Sequence, residues 1–316
     1  RKALYDAGMG HIPVIPFNAS SNLEKSPGFK ITAPMLHRMI LALVYGDLLM
    51  RVLYRTRPYE MEPGSANRLM QQWAEKAVIN VENASLIDFR RNVRGIVSDF
   101  DRLPLIEQEK PKVGVVGEIL VKFLPFANNH LVELLEREGA EAVVPDLLDF
   151  FLYSLHGQVY NHQELAGKKS SRNMAVFAMG LLEIYRGVMR RSLQESSRFD
   201  PPAAFEELTS GAEPILSLGN RTGEGWFLTA EMVELLNHGV NNIVCVQPFA
   251  CLPNHVTGKG MIKALRKRYP RSNIAPVDYD PGASEVNQVN RIKLMLSVAR
   301  KNMESDGKKQ EKSAGA

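Results

Sequence analysis

From Lys112 onward the chain alternates short β-branched runs with amphipathic helices, and no other feature limits its fold as tightly. "KVGVVGE" (Lys112–Glu118), "AVVPD" (Ala142–Asp146), "PILSLGN" (Pro214–Asn220), "NNIVCVQP" (Asn241–Pro248) and "NIAPVDYD" (Asn273–Asp280) read as strands. Helical patterns separate them: "HLVELLEREGAE" with Gly139 as its cap, "TAEMVELLNHG", "TGKGMIKALRKRYP" and "SEVNQVNRIKLMLSVARKNM". Strictly alternating strands and helices argue for a parallel sheet, because parallel neighbours need a crossover connection that a helix supplies. The expected class is α/β: a Rossmann-like parallel sheet with helices on both faces, preceded by an α-helical layer. In such sheets ligands bind beyond the carboxyl ends of the strands. Here those ends are Glu118, Asp146, Asn220–Gly225, Gln247–His255 and Asp278–Gly282, all polar or glycine-rich.

Upstream the period is helical. Met35, Met39, Leu43, Leu48, Leu49 and Val52 recur on one side of a helix, Pro58 and Pro63-Gly64 interrupt, and "ANRLMQQWAEKAVINV" and "LIDFRRNVRGIVSDFDR" follow. "LLDFFLYSL" and "AVFAMGLLEIYRGVMRRSLQ" read as inserted helices, with the loop "GQVYNHQELAGKKSSRN" between them. The division expected is 1–30 as the remnant helix and strand of an upstream lobe, 31–108 helical, 109–302 the α/β lobe with a helical insertion near 150–210, and 303–316 a disordered tail. The strand "HIPVIPFN" (His11–Asn18) has no partner within the next 90 residues, so the chain reads as truncated at its N-terminus or dependent on another polypeptide.

Composition narrows the classes. With 45% hydrophobic residues in 316, the chain can bury a large core. Lys and Arg number 39 against 35 Asp and Glu, with the signs interspersed, and the basic helix Lys263–Arg271 carries a single aromatic, Tyr269, so a solvated face is read there rather than a nucleic-acid surface. Two cysteines make no disulfide framework, no signal peptide opens the chain, and "MLHRMILALVYGDLLMRVLY" carries His37, Arg38, Asp47 and Arg51, so a soluble cytoplasmic protein without a membrane span is expected.

Both cysteines fall in "CVQPFACLPNH". Cys251 follows the proline that ends a strand and precedes a helix, where a helix dipole can hold a thiolate for attack or metal ligation; a small buried apolar side chain is the alternative. Cys245 lies inside the strand and reads as core. In "GNRTGEGW", Gly219, Asn220, Thr222, Gly223 and Gly225 can present backbone N–H groups to an anion or to cluster sulfides, although neither nucleotide-loop spacing is met. Lys259 in "TGKG" offers a cation at a helix start. Glu118 and Asp146 are candidates for an acid–base pair, with helix capping the plainer role. Spacing assigns no metal role to His255 or His130. Ser284 reads as an N-cap, with Asp278 and Asp280 near the crevice.

The segments Pro111–Leu155, Ser217–Leu236 ("SLGNRTGEGWFLTAEMVELL"), Val244–Pro270 ("VCVQPFACLPNHVTGKGMIKALRKRYP") and Val277–Ala299 ("VDYDPGASEVNQVNRIKLMLSVA") resemble the C-terminal part of the large acyl-CoA dehydratase activase-related proteins of anaerobic bacteria. That part is similar to the D-component, or β-subunit-like module, of 2-hydroxyglutaryl-CoA dehydratase, and the likeness extends from about Arg1 to Met303. It implies two Rossmann-like lobes and a helical part around a [4Fe–4S] cluster held by cysteine thiolates. It also implies an ATP-hydrolysing activase as electron donor and an acyl-CoA substrate. On this pattern Cys251 matches a cluster cysteine in a "QPFGC"-like motif, with Ala250 in the glycine's place. Gly219, Asn220, Thr222, Gly223, Gly225, Asn254 and His255 form the surrounding shell, and Glu118 handles protons. The family's other cluster cysteines and its ATPase module have no counterpart in the sequence, so a partner chain or upstream lobe must supply the remaining thiols. Two rival readings follow from the residues: a non-catalytic interaction module, and a domain that binds CoA or nucleotide phosphate through Lys259.

Overall fold

The computed structural model describes residues 2–12, 14, 31–280 and 282–314, with side chains to residue 305. Most of the proposed His11–Asn18 strand lies outside the described residues. A short helix α1 (Lys2–Asp6) precedes it.

A helical layer comes first. In α2 (Ala33–Thr56) the Thr32 hydroxyl accepts a hydrogen bond from the Met35 N–H, closing the first turn of a helix whose buried side is apolar but for Asp47 and Thr56. Asp47 looks out of place there until its partners are seen. Its two carboxylate oxygens accept from the Leu147 and Leu148 N–H groups, 2.9 Å each, and so cap a helix 100 residues away. In α4 (Leu86–Asp101), Gly95 lets the Trp73 indole of α3 (Ser65–Asn83) lie against the backbone; a Cβ at Gly95 would come within 2.5 Å of that ring. Ser85 caps α4 by accepting from the Asp88 N–H.

The sheet has four parallel strands, β1 (Lys112–Gly117), β2 (Glu141–Val143), β3 (Asn242–Gln247) and β4 (Asn273–Asp278), in the order β2-β1-β3-β4. Helices cover both faces, so the expected α/β architecture is the one observed. One face packs α6 (Leu131–Arg137) and α13 (Glu285–Ala314); the other packs α10 (Gly225–Asn237) and Leu265 of α12 (Ile262–Arg268). After β2 the chain crosses to the other side of β1, which makes the β1/β3 junction the switch point where a crevice opens. Gly117 is obligatory there. Its φ is 142°, and a Cβ would stand 1.9 Å from the Val246 carbonyl oxygen of β3.

Three sequence expectations change. Pro214–Asn220 is not a strand but a succession of turns: the Ile215 and Leu216 N–H groups both bond back to the Ala212 carbonyl and the Asn220 N–H to the Ser217 carbonyl, so the backbone is spent locally rather than on a sheet ladder. The inserted helices are longer than the apolar runs suggested. Helices α7 (Leu147–Glu164) and α8 (Lys169–Gln194) form a hairpin closed by a short link, where a loop over 157–173 was expected. Polar residues such as Asn161 and His162 are helical because they bond to the body and to the turn: Asn161 accepts from Arg221, and His162 Nδ1 pairs with the Gly167 carbonyl. Finally, α13 continues to Ala314 through the stretch read as a disordered tail; its Lys, Glu and Gln are good helix formers that need no apolar face to extend an existing helix. The hairpin and α9 (Phe205–Ala212) pack with α2–α4 and with Trp226 and Phe227 in one helical core.

Candidate functional site

Beyond the switch point, β1 runs into Glu118 and α5 (Ile119–Phe123), while β3 runs through Pro248, Phe249, Ala250 and Cys251 into α11 (Leu252–Thr257). These two turns are tied together by Asn254. Its side chain is fully buried, and the amide orientation that satisfies its surroundings donates to Glu224 Oε2 at 2.6 Å and accepts from the Glu118 N–H at 2.9 Å. Glu224 in turn accepts from the Ile119 N–H, 3.3 Å away. The Glu118 carboxylate caps α5 through the Val121 N–H at 2.8 Å. Asn254 is therefore an inward latch between strand ends, and Glu118 has the capping role its position allowed.

Cys251 stands above this latch, partly exposed, at the N-cap of α11. Ala250 before it adopts φ 57°, the left-handed region that favours glycine. Phe249 and Leu252 on either side are exposed by 71% and 72%. The dipole argument for a thiolate fails. Partial burial raises the thiol's pKa, and the Glu224 and Glu118 carboxylates add to it; the Asn254 backbone N–H opposes them without prevailing. Helix α11 has only six residues, too few to build much of a dipole. Cys245 is fully buried in β3 with its thiol pushed up to about 12, mainly by burial, in keeping with a core side chain.

The glycine segment meets the thiol loop, since a Cβ on Gly223 would touch the Pro253 ring at 3.0 Å. It is less open than the sequence suggested. The N–H groups of Gly219, Asn220, Gly225 and Trp226 bond back onto Ser217 Oγ, Ser217 O, Thr222 O and Asn220 O, and the Gly223 carbonyl accepts from the Tyr153 hydroxyl. Thr222 thus supports the turn through its carbonyl. Gly225, at φ 51°, cannot take a side chain: a Cβ would sit 2.2 Å from the Asn220 oxygen.

On the β4 side, Lys259 donates to both oxygens of Asp278, at 2.7 and 3.0 Å, and Gln247 donates to one of them. Burial alone would raise the Asp278 carboxyl; these bonds, with the charges of Lys259 and His255, hold it below its ordinary range. An ammonium so engaged is not free for a phosphate. His255 is half-buried, and its Nε2 is buried with no hydrogen-bond partner. Asp280 accepts from the Phe249 N–H and so anchors the loop that carries Cys251.

Asp146 does not pair functionally with Glu118. Its carboxylate takes two hydrogen bonds from Arg51, 2.7 and 3.2 Å, beside a cavity of about 120 Å³ along the edge strand β2. Sequence reasoning missed the charged interior around that cavity. Arg186 pairs with Asp149 at 2.7 Å, and Lys122 with Glu231 at 2.5 Å, all four nearly or fully buried. Burial is the leading cause of the raised carboxyls of Asp149 and Glu231, each brought to about 7. The available signal was an Arg, Asp or Lys placed among apolar residues of a helix. Glu224, inside the "GEGW" motif, was also overlooked.

Among the described residues no group of three or more His, Cys, Asp or Glu side chains is arranged to hold a metal, and no helix is long and apolar enough to cross a membrane. No protein-family profile matches the chain, and no curated protein or solved structure shows significant similarity to it.

Proposed function

We propose that the chain is one lobe of an iron–sulfur protein of the 2-hydroxyacyl-CoA dehydratase and activase type, with Cys251 donating one thiolate to a [4Fe–4S] cluster. The observation that carries the reading is the place of Cys251: partly exposed at the switch point, on a loop fixed from beneath by Asn254 and Asp280. The described residues do not fit a cluster on their own. A four-iron centre takes four ligands, and only one accessible thiol is present. The others come from an upstream lobe or partner chain that covers the mouth, in this reading. The chemistry of the assembly is one-electron transfer at low potential, driven by an ATP-hydrolysing activase and directed at an acyl-CoA. This chain's own residues hold the loop, keep Cys251 at the surface and place Glu118 and Glu224 beside it. Burial and the two carboxylates disfavour the free thiolate, so in this reading the iron itself must hold Cys251 deprotonated.

Anaerobic co-purification with a cysteine-bearing partner, followed by iron and sulfide analysis, tests the proposal. Stoichiometric iron and sulfide that are lost in Cys251→Ser support it; a cluster retained in that variant overturns it. A second reading, a metal-free interaction lobe, draws on the apolar rim of the mouth, where Leu120, Phe126, Phe249 and Leu252 are all exposed. It predicts partner binding unchanged by Cys251→Ser and free of iron.

A further inference from the structure

Away from the sheet mouth, α8 carries a side that the fold leaves uncovered. Met174, Phe177 and Ile184 are 67%, 69% and 65% exposed, and Leu181 between them is half-buried. Their spacing of three, four and three residues is that of a coiled-coil seam, with all four side chains on one side of the helix. Val188 continues the register and is buried in the helical core, so the seam emerges from packed interior onto open surface. Gly180 and Gly187 flank it with free space where a Cβ would stand, so a neighbouring backbone can approach closely. The opposite side of α8 is already filled, with Ala175, Leu182, Met189 and Leu193 all buried.

The charges that α8 carries along this seam are mostly positive, with the acids Glu164 and Glu195 beyond its two ends. Lys168 occupies the N-cap without a side-chain hydrogen bond, Lys169 begins the helix, and the first turn holds no acidic residue. Cations at the positive end of a helix are unfavourable for the chain alone. Arg191 is exposed near the other end, and the one acid between, Glu183, is paired with Arg186. Two copies of α8 packed antiparallel would bring Lys168 and Lys169 against Arg191, which argues against self-association.

We propose that this face docks an acidic amphipathic helix from a separate polypeptide. Its apolar side chains interdigitate with Met174, Phe177, Leu181 and Ile184, and its carboxylates lie against Lys168, Lys169 and the open N-terminal turn. The proposal does not depend on the cluster reading, since α8 contributes no residue to the thiol loop.

Two synthetic helical peptides of about three heptads test it, one with Leu at the seam and Glu flanking, the other with Lys in place of Glu. Binding to the full chain is read by fluorescence anisotropy. The Glu peptide binds, and the Lys peptide binds at least about tenfold more weakly, a difference of about 1.4 kcal/mol. Phe177→Ser with Ile184→Ser weakens the Glu peptide by at least about tenfold, and Lys168→Glu with Lys169→Glu reverses the preference. All four positions lie at the surface, and circular dichroism confirms that the variants are folded. Equal binding of both peptides, or indifference to either pair of substitutions, overturns the proposal. So does a dimer in sedimentation that the Phe177/Ile184 pair abolishes, because the face would then belong to a second copy.

Discussion

Asn254→Ala is the sharpest test of how the thiol loop is held. The side chain is fully buried and bridges two strand ends, donating to the Glu224 carboxylate and accepting from the Glu118 N–H. Loss of a hydrogen bond to a charged group costs about 1.5–3 kcal/mol. The second bond adds less, because the Glu118 N–H keeps its contact with the Val246 carbonyl at 2.9 Å. The sum is about 2–4 kcal/mol, a fall in Tm of roughly 3–6 °C given about 2.1 cal/mol/K of unfolding entropy per residue over 316 residues. There is also a pH signature. Glu224 is already raised, chiefly by burial, and removing its donor raises it further. A carboxyl whose folded pKa lies above the unfolded value contributes stability in acid and loses it as pH climbs from the unfolded to the folded value. The variant's deficit must therefore grow as pH rises above the ordinary carboxylate range. Thermal unfolding across that range, together with the rate of Cys251 alkylation, reads both effects. A Tm within a degree or so of the parent, with alkylation unchanged, would refute the latch.

Further outcomes follow from the same geometry. Ala250→Gly relieves a left-handed backbone costing about 1–2 kcal/mol, offset in part by chain entropy, so denaturant unfolding should show a net gain of about 0.5–1 kcal/mol. Lys122→Met strands a buried Glu231 and costs about 3–5 kcal/mol, while replacing both partners with apolar residues recovers most of it. With Glu231 at about 7 against an ordinary 4.5, its contribution falls by roughly 3 kcal/mol as pH rises through that window, and Glu231→Gln flattens the stability profile there. Glu224→Gln keeps an acceptor for Asn254 but removes a charge that raises the Cys251 thiol, so iodoacetamide should react faster at neutral pH; an unchanged rate would show that the carboxylate does not act on the sulfur.

The sheet was legible because its strands announce themselves locally. β1, β3 and β4 are short apolar runs bounded by Pro, Gly or Asp, and the helices between them show a 3.6-residue period. Pro214–Asn220 misled because its apolar residues are partly buried, as a strand's would be, while its backbone N–H groups close turns onto Ala212 and Ser217. The α7–α8 hairpin was underestimated for the opposite reason. Its polar residues are helical through long-range partners such as Arg221, which reaches the Gly157 carbonyl and the Asn161 side chain. Neither partner is near in sequence.

The site divides along the same line. Cys251 was located by a proline and a strand end, both local, but its thiol is raised first by partial burial and then by Glu224 and Glu118, which reach it from different turns of the chain. Asn254 entered the expected cluster shell only through the family resemblance; on the short α11 it lies beneath the loop, where it holds the backbone instead. The same distinction orders the buried charges. Lys122 follows β1 on α5, and its partner Glu231 lies on α10, the helix that the glycine turn begins, so the pair ties the two elements on either side of Glu224. A buried ion pair adds little net stability over an apolar pair of the same volume, but it penalises any arrangement that separates its members. Its consequence here is positional: α5 and α10 cannot shift independently, and the Glu118–Asn254–Glu224 bridge, with Cys251 above it, has a fixed base.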